Sequence, residues 1–141
     1  MKLFILVCFM LVLVTLSLAE QTPCQEKREK ILSQNLDVEV IPECEENGSY
    51  KDKQCKKNGV DCQCWRTDGT PINDFSPNLK ACSCIRSKDN ANRPHLIGNY
   101  KPQCEADGTY RLTQCWGSVG SCWCVDAEGR KLPNKHFPVD C

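Results

Sequence analysis

Residues 114–125 read QCWGSVGSCWCV, and residues 54–65 read QCKKNGVDCQCW. Both stretches place a Gln-Cys pair seven residues before a Cys-x-Cys step, and the cysteines outside them continue the match in both directions. The first series has intervals of 20, 11, 7, 2 and 18, and comprises Cys24, Cys44, Cys55, Cys62, Cys64 and Cys82. The second has intervals of 20, 11, 7, 2 and 17, and comprises Cys84, Cys104, Cys115, Cys122, Cys124 and Cys141. Four consecutive equal intervals indicate that one structural unit has been duplicated.

The first nineteen residues have the pattern of a secretory signal peptide. Lys2 is followed by an almost unbroken apolar run over residues 3–18, and Ser17 and Ala19 are the small residues that a signal peptidase reads. The run is shorter than the roughly 20 residues that span a bilayer, although a retained signal anchor is the alternative. We therefore expect a secreted, extracellular protein that loses residues 1–19, and with them Cys8, and keeps no membrane segment.

The two remaining units, residues 20–82 and 84–141, are small. A domain of about 60 residues buries too little surface for a hydrophobic core alone to stabilise it well. A disulfide that closes a loop of about 15 residues adds roughly 3 kcal/mol. Zinc binding is the alternative use of Cys-x-Cys, but a signal sequence, six cysteines per unit and only two histidines favour disulfides. We expect no metal and no cofactor.

The charge balance excludes several classes of partner. The chain has 18 basic and 18 acidic residues, so it has no net field to attract nucleic acid or a membrane. A local cluster of Lys51, Lys53, Lys56 and Lys57 could be a heparin patch. Acidic residues surround that cluster, which favours a solvated surface instead.

Each unit is predicted to be a small disulfide-rich α+β domain, with a short N-terminal helix followed by an antiparallel hairpin. Residues 25–32 favour a helix, and residues 85–93 favour one more weakly because of Asn90 and Asn92. Strands are expected at residues 49–55 and 109–115, with turns at 58–59 and 117–120. The return strands then carry the two Cys-x-Cys steps.

Alternation along these return strands puts the two cysteines of each step on one face and Trp65 or Trp123 on the other. Our hypothesis is that this indole packs the small core of its unit. The alternative is an exposed aromatic side chain that binds a partner.

At these residues the chain resembles the thyroglobulin type-1 repeat, whose marks are Pro-x-Cys, Gln-Cys and Cys-Trp-Cys-Val followed by a glycine. The second unit matches at Pro102, Gln114, at residues 122–125 and at Gly129. The first unit keeps Pro42, Gln54 and Gly69 but has Gln63 inside its Cys-x-Cys step and Trp65 after it. The resemblance implies two tandem repeats with disulfides Cys24–Cys44, Cys55–Cys62, Cys64–Cys82, Cys84–Cys104, Cys115–Cys122 and Cys124–Cys141.

An enzyme is not expected. Every cysteine after residue 19 would be paired, and His95 and His136 have no Ser or Cys partner recognisable by motif. Some members of the resembled family, the thyropins, instead inhibit papain-like cysteine proteases by inserting a wedge of loops into the active-site cleft. The resemblance therefore implies a non-covalent, monomeric inhibitor whose protein partner is a cathepsin L-like enzyme.

Three segments of the second unit would form the wedge. They are His95, Leu96, Ile97, Gly98, Asn99, Tyr100 and Lys101; then Trp116, Gly117, Ser118, Val119 and Gly120; and then Pro133, Asn134 and Lys135. The glycines would permit close backbone approach, and ordinary turn formation is the alternative explanation for them. The first unit is bulkier and more acidic at residues 38–41 and basic at 56–57, so the second unit is the expected inhibitor.

Other functions remain open from sequence. Many type-1 repeats inhibit nothing, and a short chain of two repeats is similar to two-repeat proteins of arthropod venoms, so a venom component or an extracellular interaction module is the main alternative. A growth-factor-binding fragment is less favoured, because the partner domain of such proteins is missing. Asn47, in Asn-Gly-Ser, is a candidate glycosylation site or simply a turn residue.

Overall fold

The structure is a computed structural model that describes residues 20–93, 97–136 and 141. The predicted signal peptide, residues 1–19, lies outside the described residues. Among the described residues, two helices and five strands occur in the order α1 (Pro23–Ser33), β1 (Lys53–Cys55), β2 (Cys62–Cys64), α2 (Ser83–Asn92), β3 (Thr113–Trp116), β4 (Ser121–Val125) and β5 (Lys131–His136). Each repeat thus places one helix before one small antiparallel sheet, as the sequence predicts.

Helix α1 starts earlier than residue 25 because of its N-terminal capping. The Thr22 hydroxyl accepts a hydrogen bond from the backbone N–H of Gln25, and the Gln25 side chain accepts one from the backbone N–H of Thr22. This reciprocal capping box, with Pro23 in the first turn, satisfies N–H groups that have no partner inside the helix. The helix ends at Ser33.

Helix α2 forms in full although its sequence favours a helix only weakly. It begins at Ser83, directly after Cys82, and includes both Asn90 and Asn92. Weak intrinsic propensity is overridden here because Cys84 is fully buried and is joined by a disulfide to Cys104. Ser83 is therefore the first residue of a helix, and no flexible linker separates the repeats.

The first strand of each hairpin is shorter than predicted. Residues 49–52 and 109–112 form no continuous strand; they contribute single bridges from Tyr50 to Cys44 and from Tyr110 to Cys104. A buried glutamine explains the interruption in each repeat. The Gln54 amide donates to the carbonyls of Glu43 and Lys51 and accepts from the Glu43 N–H, so a side chain takes the bonds of a neighbouring strand.

Strand β5 is an element that the sequence prediction missed. It lies at the edge of the second sheet, whose strand order is β3-β4-β5, and the first repeat has only a two-stranded sheet, β1-β2. Strands β4 and β5 pair through Val125 with Lys131 and Trp123 with His136, with an irregularity between the pairs. The prediction missed β5 because its sequence lacks apolar alternation and contains Pro133.

Cystines form much of the interior. The six disulfides are Cys24–Cys44, Cys55–Cys62, Cys64–Cys82, Cys84–Cys104, Cys115–Cys122 and Cys124–Cys141, the same pairing that the resemblance implies. One buried cluster consists of Cys62, Cys64, Leu79 and Cys82, and a second consists of Cys24, Tyr50 and Trp65. These few residues are a small core, which accords with the need for cross-links in domains of this size.

The repeats are in direct contact. Arg86 of α2 donates to the carbonyl of Trp65 at 2.7 Å and to that of Tyr50 at 2.9 Å, both in the first repeat. Arg66 and Asp89 form a two-point ion pair across the same boundary at 2.7 Å. Gly108 lies so close to the Ala81 carbonyl oxygen that an added Cβ would be 1.8 Å from it. These contacts, together with the continuous path from Cys82 into α2, restrict the relative orientation of the repeats.

Candidate functional site

Two of the three expected segments lie side by side in the second repeat. The backbone carbonyl of Gly98 accepts hydrogen bonds from Trp116 Nε1 and from Ser118 Oγ, each at 2.6 Å. The rings of Tyr100 and Trp116 also face each other, with centroids 6.3 Å apart. Residues 97–101 and 116–120 are therefore one joined surface, which we call the tip.

The tip rests on cross-linked supports. The Cys115–Cys122 disulfide closes the hairpin that carries residues 116–120. The side chain of Gln103 bonds both the N–H and the carbonyl of Cys115 and also the carbonyl of Lys101, and so ties the first segment to the hairpin. Gly98 has a φ of +79°, in the left-handed region that glycine adopts without steric cost. Gln103 is a supporting residue that sequence reasoning did not identify.

The outer side of the tip is apolar and exposed. Ile97 is 104% exposed, Val119 is 62% exposed and Trp116 is 37% exposed. Isolated apolar side chains on a surface need no explanation, but a contiguous group on adjoining loops indicates a binding surface. These three side chains lie on the two segments that meet at Gly98.

The third expected segment does not lie in a loop. Pro133, Asn134 and Lys135 are in strand β5, and Pro133 is exposed. Because β5 is separated from β3 by β4, this segment adjoins β4 and not the β3 side of the hairpin. His95 and Leu96 of the first expected segment lie outside the described residues.

The corresponding region of the first repeat is charged. The Lys57 N–H donates to the carbonyl of Glu39, which joins the two segments as in the tip. Lys56 pairs with Glu39 at 3.5 Å, and Lys57 pairs with Asp37 at 3.3 Å. Val60, which is 56% exposed, is the apolar residue of this turn. The same frame thus presents an ion-paired surface in one repeat and an apolar one in the other.

The two indoles differ in their packing. Trp65 is 7% exposed, lies 5.8 Å from the Tyr50 ring and donates from Nε1 to Gln63 Oε1, so the core hypothesis is confirmed for it. Trp123 is half-buried, with the Tyr100 ring 4.9 Å away on one side and the Lys131 ammonium 4.9 Å from its ring. Trp123 is less buried than Trp65 and also lines a groove, so the structure confirms the core hypothesis for Trp65 only. Tyr100 has a raised pKa because its hydroxyl is partly withdrawn from water.

Position 47 of the first repeat and position 107 of the second share one local structure. Asn47 Oδ1 accepts from the Ser49 N–H and hydroxyl, and Asp107 Oδ1 accepts from those of Thr109. Hydrogen bonds from Thr109 and Lys80 lower the Asp107 pKa to about 2. Asn47 is exposed, as a glycosylated asparagine must be.

Cysteine pairing and groups of metal-ligating side chains can be described for residues 20–93, 97–136 and 141. There, all twelve cysteines are in disulfides, and no group of three or more His, Cys, Asp or Glu side chains could hold a metal ion. Within the same residues, no helix has the length and apolar character needed to cross a membrane.

Comparison with known proteins shows which family the two disulfide-bonded repeats match. A family model described as the thyroglobulin type-1 repeat matches residues 21–84 and 82–138. The chain is 43% identical over 117 residues to U20-hexatoxin-Hi1a of Hadronyche infensa, which covers 80% of this chain and 81% of the toxin. It is 31% identical over 124 residues to U24-ctenitoxin-Pn1a of Phoneutria nigriventer, covering 85% and 94% respectively. It is also 33% identical over 102 residues to equistatin of Actinia equina, covering 65% and 43%.

Proposed function

The chain belongs to the thyroglobulin type-1 repeat family, and we propose that it is a secreted, non-covalent inhibitor of papain-like cysteine proteases of the cathepsin L type. The observation that carries this proposal is the tip of the second repeat, where a disulfide-closed hairpin turn and residues 97–101 are hydrogen-bonded to each other through Gly98. The tip would enter the active-site cleft of the protease and block access to it, without any bond being made or broken.

Rigidity supports this mode of binding. A flexible loop loses conformational entropy when it is fixed in a cleft, at about 0.5–1.5 kcal/mol for each ordered side chain. The Cys115–Cys122 disulfide and the Gln103 hydrogen bonds hold the tip in place before any partner arrives. Most of the free energy of contact would therefore be available for affinity.

The exposed side chains supply that contact. Ile97 and Val119 lie on the two joined segments, and they are exposed enough to be fully covered by a partner. Burial of an aliphatic side chain is worth about 1.5–3 kcal/mol. The first repeat offers ion pairs to water at the equivalent place, so we assign inhibition to the second repeat and a supporting role or another target to the first.

A substitution test can be made in the full chain, which is preferable to separated repeats because Arg86 and Arg66 bond across their boundary. Val119→Glu and Ile97→Glu each place a charge on the tip, and Val60→Glu is the matched change on the first hairpin. Inhibition constants are measured by titration of a cathepsin L-like protease with a fluorogenic substrate. The unsubstituted chain should inhibit reversibly at nanomolar concentration.

We expect each tip variant to weaken inhibition at least about tenfold, a loss of about 1.4 kcal/mol, while Val60→Glu changes it less than about twofold. All three side chains are exposed, so the thermal midpoints should agree, which separates lost binding from lost folding. Absence of inhibition by the unsubstituted chain, or a larger loss from Val60→Glu than from Val119→Glu, would contradict the assignment.

A non-inhibitory extracellular role is the second candidate. The observation that favours it is the 43% identity, over most of both chains, to a protein named as a toxin. A venom component or extracellular interaction module of this kind would bind another protein without affecting proteolysis. The same titration distinguishes the candidates, because a chain that leaves papain-like enzymes fully active supports this second role.

A secreted protein of this kind would lose its signal peptide and could be glycosylated. We propose that residues 1–19 are a signal peptide, that the mature protein is a monomer with repeats at residues 20–82 and 84–141, and that Asn47 can carry a glycan. Amino-terminal sequencing of the protein from a secreting cell should start at Glu20. A glycosidase-sensitive mass that disappears in Asn47→Gln would establish the glycan.

A further inference from the structure

The balanced total charge of the chain conceals an uneven distribution between the repeats. Residues 20–82 carry nine Lys or Arg and twelve Asp or Glu, whereas residues 84–141 carry eight basic and six acidic residues. No aspartate or glutamate occurs between Asp89 and Glu105 or between Asp107 and Asp126, and these two stretches contain both segments of the tip. Because charges at physiological ionic strength act over only about 8 Å, the local excess at the tip matters more than the total charge.

Two lysines beside the tip have no anionic partner. Lys101 ends the first segment of the tip, and the Lys131 ammonium lies 4.9 Å from the centre of the Trp123 ring. Both lysines are exposed, and neither forms an ion pair within the described part of the chain. The rings of Trp116, Tyr100 and Trp123 form a row from the tip to Lys131, since successive centroids are 6.3 Å and 4.9 Å apart. The two positive charges therefore flank the tip.

Three polar side chains of the tip already have hydrogen-bond partners inside the protein. Trp116 Nε1 and Ser118 Oγ donate to the carbonyl of Gly98, and the Tyr100 hydroxyl donates to Gln114 Oε1. A polar group that leaves water without a hydrogen bond carries a large desolvation penalty. Because these three groups keep their partners, the outer side of the tip can enter a less polar medium without leaving them unbonded.

The order of polarity across the tip matches that of a bilayer surface. Ile97 and Val119 project into solvent from the two segments, the Trp116 ring lies beside them, and the two lysines lie at the sides. In membrane proteins an indole prefers the headgroup layer, where one part of it meets apolar groups and another part meets water. A lysine keeps its ammonium among the headgroups while its aliphatic stem lies against apolar groups.

The first repeat has a different arrangement at the equivalent place. Its hairpin turn carries the exposed Val60, but Lys56 and Lys57 of that turn are paired with Glu39 and Asp37. These carboxylates neutralise the lysines and would be repelled by an anionic surface. The features that match a lipid surface therefore belong to the side chains of the second repeat and not to the shared frame.

We propose that the tip docks on the surface of a phospholipid bilayer that contains anionic lipid. Ile97, Val119 and the Trp116 ring enter the interfacial layer, and Lys101 and Lys131 contact the anionic headgroups. The binding is peripheral and reversible. It goes beyond the proposed inhibition and does not rest on it. Because both use the same surface, a chain docked on a membrane cannot present its tip to a protease at the same time.

Sedimentation of the secreted protein with lipid vesicles tests this in the absence of any protease. The protein is produced by secretion, and its mass must show that the apolar residues 3–18, which would themselves bind lipid, are absent. Vesicles of phosphatidylcholine mixed with phosphatidylserine are compared with vesicles of phosphatidylcholine alone.

We expect half-maximal binding to the mixed vesicles at about 0.1–1 mM lipid, similar to or weaker than a single myristoyl chain. Binding to phosphatidylcholine alone should be at least about fivefold weaker, because the lysines then lack anionic partners. Raising the salt concentration from about 0.1 M to about 1 M shortens the screening length from about 10 Å to about 3 Å and should weaken binding to the mixed vesicles at least about threefold.

A matched pair of apolar substitutions assigns the binding to the tip. Val119→Ser should weaken binding to the mixed vesicles at least about fivefold. Leu112→Ser is the control, since Leu112 is 51% exposed and directly precedes β3, whereas the tip begins at Trp116, where β3 ends. That separation is about 13 Å along the strand, and the control should change binding less than about twofold.

A second pair tests the charge. Lys101→Glu should weaken binding to the mixed vesicles at least about fivefold. Lys30→Glu makes the same change of net charge on helix α1 of the first repeat, where Lys30 is exposed, and should change binding less than about twofold. Equal thermal midpoints separate lost binding from lost folding. If a variant is destabilised, the other pair and the two lipid compositions still decide.

Several results would overturn the proposal. They are no binding at about 10 mM lipid, equal binding to the two kinds of vesicle, and equal losses from Val119→Ser and Leu112→Ser. Retention on an immobilised acidic polypeptide, without binding to either vesicle, would also overturn it in favour of an acidic protein surface. No protease is present in these measurements and no lipid in the inhibition titration, so either proposal can fail while the other stands.

Discussion

The two repeats have the same frame but use their aromatic residues differently. In both, a fully buried glutamine, Gln54 or Gln114, bonds the backbone ahead of the second cysteine, and a tyrosine packs on a glycine that follows Cys-x-Cys. In the first repeat the indole closes the core against that tyrosine. In the second the indole lies two positions earlier, beside Tyr100, and a groove is left open.

This difference shows which contacts the frame needs. Disulfides, backbone bridges and the buried glutamine recur in both repeats, and none of them depends on where the tryptophan lies. A frame stabilised in this way tolerates replacement of Trp65 by valine at the equivalent position, because cross-links compensate for a smaller core. The side chains that the frame carries can therefore differ, so that the first repeat has a packed indole and the second has a groove.

Substitution of Trp65 or Trp123 should have the largest effect on stability, and the two losses should differ. Trp65→Ala deletes a buried ring and should lower the free energy of unfolding by about 3–5 kcal/mol. Trp123→Ala removes a half-buried ring and should cost about 1–2 kcal/mol. Guanidinium unfolding with the disulfides intact measures both values. Equal losses would show that the two repeats depend on their indoles alike.

Arg86 tests whether the repeats act as one body. Arg86→Ala removes two hydrogen bonds from a cation to the carbonyls of Trp65 and Tyr50, and one such bond contributes about 1.5–3 kcal/mol to stability. Amide exchange near Tyr50 should accelerate accordingly.

Lys88→Ala is the matched control for Arg86, since Lys88 is exposed on the same helix and its side chain makes no hydrogen bond or ion pair within the described part of the chain. If Arg86→Ala leaves amide exchange in the first repeat as slow as Lys88→Ala does, the boundary contacts contribute nothing to its stability.

The loss of stability in acid should depend on which residue occupies the equivalent positions 47 and 107. This effect should be smaller than those of the tryptophan and Arg86 substitutions. The Asp107 pKa is about 2 in the folded chain and 3.8 ordinarily, so the folded state favours the carboxylate. The resulting stability is fully present above about pH 4 and is lost as the pH falls through about 2. Because this side chain is accessible to solvent, water screens the effect.

Asp107→Asn gives the second repeat the residue of the first and keeps the turn bonds that Asn47 makes. The variant should lose less thermal stability than the unsubstituted chain between about pH 4 and pH 2. The remaining acid sensitivity comes from other carboxylates with lowered pKa, among them Asp89 beside Arg66. Parallel melting curves for the two chains over this interval would contradict the role of Asp107.

Much of the frame was accessible from sequence, but parts of the site were not. Spacing of the cysteines predicted the repeats, the strand and turn patterns predicted the hairpins, and these together with the family resemblance predicted the class of fold. Strand lengths were overestimated, because nothing in the local pattern reveals that Gln54 and Gln114 replace strand partners. Strand β5 was missed, because its pairing depends on β4 and not on its own residues.

The sequence alone determined the covalent and local features of this protein: two sets of six cysteines, the turns, the first helix and the family. Those features depend on spacing and on nearby residues, which a linear pattern records. Only the tertiary structure decided that residues 97–101 and 116–120 meet at Gly98, that Arg86 joins the repeats, and that Trp65 packs on Tyr50 whereas Trp123 packs on Tyr100. These relations join residues far apart in the chain, and packing in three dimensions sets them.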